Sequence, residues 1–111
     1  MSEKVNRLTP YVITLAGLRP SQRKTLLSMA SKEQIKAMEE VALNIVKNTV
    51  SLTDNDAKVC RRWRKPLRLL ALKRYPLKEK RKILQQGGFM GAILPILASV
   101  IGSVIASRTN G

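Results

Sequence analysis

Apolar residues recur at helical spacing in several short stretches of this chain, separated by prolines and cap residues, and the pattern predicts an all-α protein. The clearest stretch follows Ser31-Lys32-Glu33-Gln34. This is a capping box, in which the serine hydroxyl takes an exposed backbone N–H and the glutamine side chain reaches back to the serine N–H. Ile35, Met38, Ala42, Ile45 and Val46 then fall in one stripe, with Lys36, Glu40, Asn44 and Lys47 opposite, so a helix runs to about Asn48. Upstream, Pro20 suits the first position of a helix, where its missing N–H costs nothing. That helix reaches about Ala30, with Leu26, Leu27 and Met29 as its apolar side. Residues 1–19 hold Thr9-Pro10 and Arg19-Pro20 around an apolar run from Tyr11 to Leu15, and read as an extended or short helical arm.

Thr53-Asp54-Asn55-Asp56 is a second start signal, with two acids in a first turn where the helix dipole favours them. In the helix that follows, Val59, Trp63, Leu67 and Leu70 share one side with Cys60 beside them, while Lys58, Arg61, Arg62, Lys65 and Arg68 share the other. Pro66 removes a backbone bond and crowds the preceding turn, which predicts a kink or split near Lys65. Pro76 marks another break before a short basic helix from about Leu77 to Gln86, with Ile83 and Leu84 as its apolar contacts. The expected architecture is a small bundle of three to four short helices with a hydrophobic C-terminal tail helix. Its parts are an arm at 1–19, a helical basic domain at 20–86, and a Gly-Gly junction with an apolar tail at 87–111.

Charge sharpens this picture. Between Lys58 and Lys82 the chain carries twelve Lys or Arg residues against one acid, Glu79, and so +11 of its formal +14. The set is Lys58, Arg61, Arg62, Arg64, Lys65, Arg68, Lys73, Arg74, Lys78, Lys80, Arg81 and Lys82. A long, one-signed run is the electrostatic footprint of a protein that meets phosphates. A solvated charged face and an anionic membrane are the competing readings, since lipid headgroups attract the same residues. Clusters such as Arg61-Arg62-Trp63-Arg64-Lys65 also resemble nuclear-import signals.

The charge stops at Gly87-Gly88. Phe89 to Ser107 are nineteen uncharged residues, about the length that spans a bilayer as a helix, but interrupted by Gly91, Pro95 and Gly102. Phe89, Ile93, Leu94, Ile96, Leu97, Val100, Ile101, Val104 and Ile105 supply its apolar surface, for docking on a partner protein, entering a membrane, or folding back on this chain. Ala98, Gly102 and Ala106 form a small-residue stripe that lets helices approach closely.

Chemistry is sparse. The chain has no histidine and one cysteine, which excludes an intrachain disulfide, a His-containing zinc cluster and a His-paired nucleophile. The acids are scattered, and no Gly-rich phosphate loop of Walker or Rossmann spacing occurs. We therefore expect no enzyme, metal or cofactor. Cys60 is expected to pack as a small hydrophobe, and its free thiol suits an intracellular or virion-interior setting. Trp63 either anchors the apolar face or stacks on a base, and its register with Val59 and Leu67 favours the anchor. The N-terminus lacks the apolar core of a signal peptide.

The run from Leu77 through Lys78-Glu79-Lys80-Arg81-Lys82 to Gln85-Gln86-Gly87-Gly88-Phe89, followed by a small-and-aliphatic tail, resembles the small basic proteins of polinton-like elements and adintoviruses. Leu52-Thr53, the basic helix after it and Leu69 to Lys73 are similar to the same group, and the resemblance covers roughly residues 30–100. Those proteins look like counterparts of adenovirus core protein X, a condensing protein of packaged DNA. The resemblance implies a viral cysteine protease as a further partner. Such proteases cut after sequences with glycine at the second position before the bond, and Gln85, Gln86, Gly87, Gly88 and Phe89 look like such a site, with Gln85 in place of an aliphatic residue. The alternative is a glycine pair that only ends the basic helix.

Together these features lead us to expect a non-enzymatic, sequence-independent DNA-binding or condensing protein. It would be a core or minor capsid component of a virus or virus-like mobile element, in the virion interior and host nucleus, with its tail on the capsid or on membrane. Two alternatives are a membrane-active or membrane-anchored basic peptide carrier and a helix-turn-helix transcription regulator using the helices from Lys32 and Asp54.

Overall fold

A computed structural model describes residues 3–47, 49–86 and 88–110, with the Lys4 side chain and the side chains after Ile101 outside the description. Among the described residues the fold is all-α. Its helices are α1 (Glu3–Arg7), α2 (Thr9–Ala16), α3 (Pro20–Ser28), α4 (Lys32–Val46), α5 (Asp54–Arg62), α6 (Arg64–Ala71), α7 (Leu77–Leu84) and α8 (Phe89–Asn110). This is more segments than the three or four expected, because prolines and caps cut the helical regions more finely.

The local signals act as expected. Ser31 Oγ accepts from the Gln34 N–H at 3.1 Å and Gln34 Oε1 accepts from the Ser31 N–H at 2.9 Å, which closes the capping box of α4. Thr53 Oγ1 accepts from the Asp56 N–H at 3.1 Å and starts α5. Pro20 opens α3. The split of the basic helix falls at Trp63, earlier than the expected Lys65. Proline at position 66 both lacks a donor for the Arg62 carbonyl and crowds it, so α5 ends at Arg62.

α4 is the central element. Ile35, Ala37, Met38, Val41, Ala42 and Ile45 are buried on it, and it packs chiefly on α6, with α1 and α7 also against it. Val46, expected in the same stripe, ends the helix 42% exposed, and Met29 of the α3 stripe is 67% exposed. Of the two forms expected for the N-terminal arm, residues 3–16 take the helical one, and Val5, Leu8, Val12 and Leu15 are all buried in the core. Pro10 sits at the start of α2, where proline is harmless.

The apolar tail folds onto its own chain. Phe89, Ile93, Leu94, Ile96, Leu97, Val100 and Ile101 are all buried, and α8 packs on α2 with further contacts to α1, α5 and α7. This corrects the expectation that these residues are presented to a capsid or membrane: the apolar faces of α1 and α2 already cover them. Val104 and Ile105 lie outside the described side chains, as do Gly102 and Ala106 of the small-residue stripe, while Ala98 is exposed. α8 continues through Pro95, which lies on its exposed side. Among the described residues no single helix is long and apolar enough to cross a membrane.

Candidate nucleic-acid interface

The helical register of α5 and α6 separates packing from charge. Cys60, Leu67 and Leu70 are buried, and Val59 and Trp63 are half-buried against the core. Trp63 meets Phe89 edge to face at 5.7 Å between ring centroids, which fits the anchoring role. Lys58, Arg61, Arg62, Arg64, Lys65 and Arg68 are all exposed, and Lys73 and Arg74 are exposed in the turn that follows. No ion pair or side-chain hydrogen bond holds any of these eight cations among the described residues. Their charge is free to meet an external anion.

The second basic cluster behaves differently. Lys80 is fully buried, and its Nζ lies 2.7 Å from Glu39 Oε2 on α4. It therefore leaves the set of candidate phosphate ligands. The cause is register: on α7, Lys80 shares a side with Leu77, Ile83 and Leu84 at spacings of three and four, and that side faces the core. A cation carried into the core needs a charged partner there, and Glu39 supplies it. Arg81 is half-buried and donates its Nε–H to the Ala30 carbonyl at 3.1 Å, which ties α7 to the connection between α3 and α4. Of this cluster only Lys78 and Lys82 are exposed, and Lys82 pairs with Glu79 at 3.3 Å in a solvent-screened contact that contributes little.

Sequence reasoning missed the Glu39–Lys80 pair, although both residues carried a signal. Glu39 falls between Ile35 and Ala42 on the apolar side of α4, as Lys80 does among the leucines of α7. A charge inside each stripe, of opposite sign, marks two helices that meet.

The junction between α7 and α8 is folded. The Gln86 N–H bonds the Ile83 carbonyl at 3.1 Å, the Phe89 N–H bonds the Gln86 carbonyl at 3.3 Å, and Phe89 is fully buried. Gly88 has φ of +84°, a left-handed conformation that favours glycine. Gly87 lies outside the described residues. A protease requires an extended strand, so cutting beside Phe89 demands that its ring first leave the core. Gly88 lies beyond Gln85, the C-cap of α7, and its carbonyl accepts the Ala92 N–H at 3.0 Å, so it leads into α8 and does not cap α7. Gly88→Ala should cost about 1–2 kcal/mol from the backbone alone, because the added Cβ would meet the Trp63 ring at an ordinary 3.6 Å. Thermal unfolding checks this, and an unchanged midpoint contradicts it.

Cys60 is buried, and burial followed by the nearby Asp56 carboxylate pushes its thiol pKa up. Thiolate is the reactive form, so native Cys60 should react with iodoacetamide near neutral pH more slowly than the same thiol in urea. Asp56→Asn should raise the native rate, and equal rates in folded and unfolded protein would show the thiol to be open.

No protein family, curated protein or solved structure matches this chain.

Proposed function

We propose that this is a non-enzymatic protein that binds DNA through the phosphate backbone without reading sequence, and condenses or packages it. The observation that carries this reading is the exposed, acid-free set of Lys58, Arg61, Arg62, Arg64, Lys65 and Arg68 along α5 and α6, extended by Lys73 and Arg74. Lysine and arginine neutralise phosphates and release condensed counterions, a term that carries almost no sequence information. The face has no Asn or Gln among these residues, the side chains that pair with adenine in a groove. The resemblance of the basic run and tail to small basic proteins of polinton-like elements and adintoviruses supports a role as a core or minor capsid component of a virus or virus-like element. Burial of Phe89 to Ile101 supports DNA over lipid, because the folded chain keeps this apolar surface for its own core.

Competition between two unrelated duplexes of equal length tests the reading. We expect retention on both within about threefold at one salt concentration. A preference of about a hundredfold or more would replace it with a sequence-reading regulator. Leakage from anionic vesicles at concentrations where duplex binding is absent would replace it with a membrane-active protein.

A further inference from the structure

A cleft of about 210 Å³ opens where α5 and α6 lie against the end of α4. Its floor is aliphatic, made by Ile45, Leu52, Ala57 and Leu67 with the Cys60 side chain, and Val46 stands exposed at its edge. Arg61, Arg64 and Arg68 complete the lining. No acid lines it, and the three guanidinium groups have no ion-pair partner among the described residues. Asp56, one turn before Cys60, is the neighbouring acid and stays outside the lining.

Phosphate binding uses the arginines and leaves the floor unexplained. A duplex presents sugar and phosphate, with no apolar projection to enter a cleft. An unstacked base seeks an aromatic platform, and no aromatic residue lines this site. A diacyl lipid brings chains far longer than so small a space accepts. An apolar side chain flanked by carboxylates matches both parts: the side chain fills the aliphatic floor, and the carboxylates meet arginines whose planar forks bind them bidentately. We propose that this cleft docks an acidic peptide segment of a partner protein, carrying one leucine- or phenylalanine-sized anchor between acidic residues. Because the same arginines serve DNA, peptide and DNA exclude one another, and an acidic partner would hold the protein off DNA. The peptide site itself does not depend on the DNA reading.

The test is fluorescence anisotropy on the full chain with two labelled synthetic peptides, one with a phenylalanine between glutamates and one with alanine in its place. The phenylalanine peptide should bind saturably and at least about tenfold tighter than the alanine peptide, the factor expected from burying one large apolar side chain. Ala57→Phe fills the floor without changing charge, and should remove about tenfold of the phenylalanine peptide's affinity while leaving duplex affinity within about twofold. If circular dichroism shows that Ala57→Phe does not fold, Val46→Asp at the exposed edge serves instead, and should weaken the peptide more than the duplex. Equal binding of the two peptides would overturn the proposal in favour of charge attraction alone, as would a folded Ala57→Phe with unchanged peptide affinity. Anionic vesicles bound in an Ala57→Phe-sensitive manner, with no saturable peptide binding, would overturn it in favour of lipid. Peptide binding without duplex binding would sustain this site and refute the DNA reading.

Discussion

Lys80→Met should destabilise the protein by about 3–5 kcal/mol, because it leaves the Glu39 carboxylate in the core without its cation. The Lys80 side chain is 0% exposed and that of Glu39 7%, and their 2.7 Å contact joins α7 to α4 across 41 residues of chain. For a domain whose whole stability is on the order of 5–15 kcal/mol, this is a large fraction. The melting temperature should fall by roughly 10–20 °C. Glu39→Leu should be similarly damaging, since it strands the ammonium instead. Combining the two changes removes both buried charges and should recover most of the loss, as replacing a buried ion pair by apolar groups is often neutral. Urea unfolding of the two single variants and the double variant measures the coupling, and additive losses would show that the charges do not depend on each other. The folded double variant should keep wild-type duplex affinity, since Lys80 reaches no phosphate.

Replacing Arg61, Arg62, Lys65 and Arg68 together with alanine should have the opposite profile, with stability preserved and DNA binding weakened. All four side chains are exposed, and none is held by an ion pair among the described residues. Removing like charges from one face relieves repulsion, so we expect folding unchanged or slightly improved. If each residue neutralises one phosphate, the slope of log affinity against log salt should flatten by about 3.6, at roughly 0.9 per contact. Filter binding or anisotropy over a salt series reads both the loss and the slope. The pair Lys78→Ala and Lys82→Ala should cost less, because Lys82 already shares its charge with Glu79. Unchanged retention of the quadruple variant would remove α5 and α6 from the interface.

These predictions differ in how visible they are in the sequence. Caps are local: Ser31 with Gln34, Thr53 with Asp56 and Pro20 at a helix start each act within one turn, and each could be read directly. The two-sided character of α5 and α6 was equally legible, because one register fixes where Cys60, Leu67 and Leu70 go and where the arginines go. The destination of the tail was not. An apolar run of nineteen residues has the same composition whether it enters lipid, a partner or its own core, and only the distant faces of α1 and α2 decide among these. Val5, Leu8, Val12 and Leu15 had helical spacing, but Pro10 suggested an arm because its position at the start of α2 depends on where α1 ends. Lys80 and Arg81 look like phosphate ligands in the sequence because a charge run suggests solvent exposure, while their partners, Glu39 and the Ala30 carbonyl, lie 41 and 51 residues away.

The measurement that bears most directly on the central claim is the salt dependence of binding by the intact chain to a duplex of arbitrary sequence. With about 6 to 8 phosphates contacted, affinity should fall about a thousandfold or more between 50 and 200 mM salt. An affinity that stays nearly level across that range would contradict the assignment of the α5 and α6 cations to a phosphate backbone.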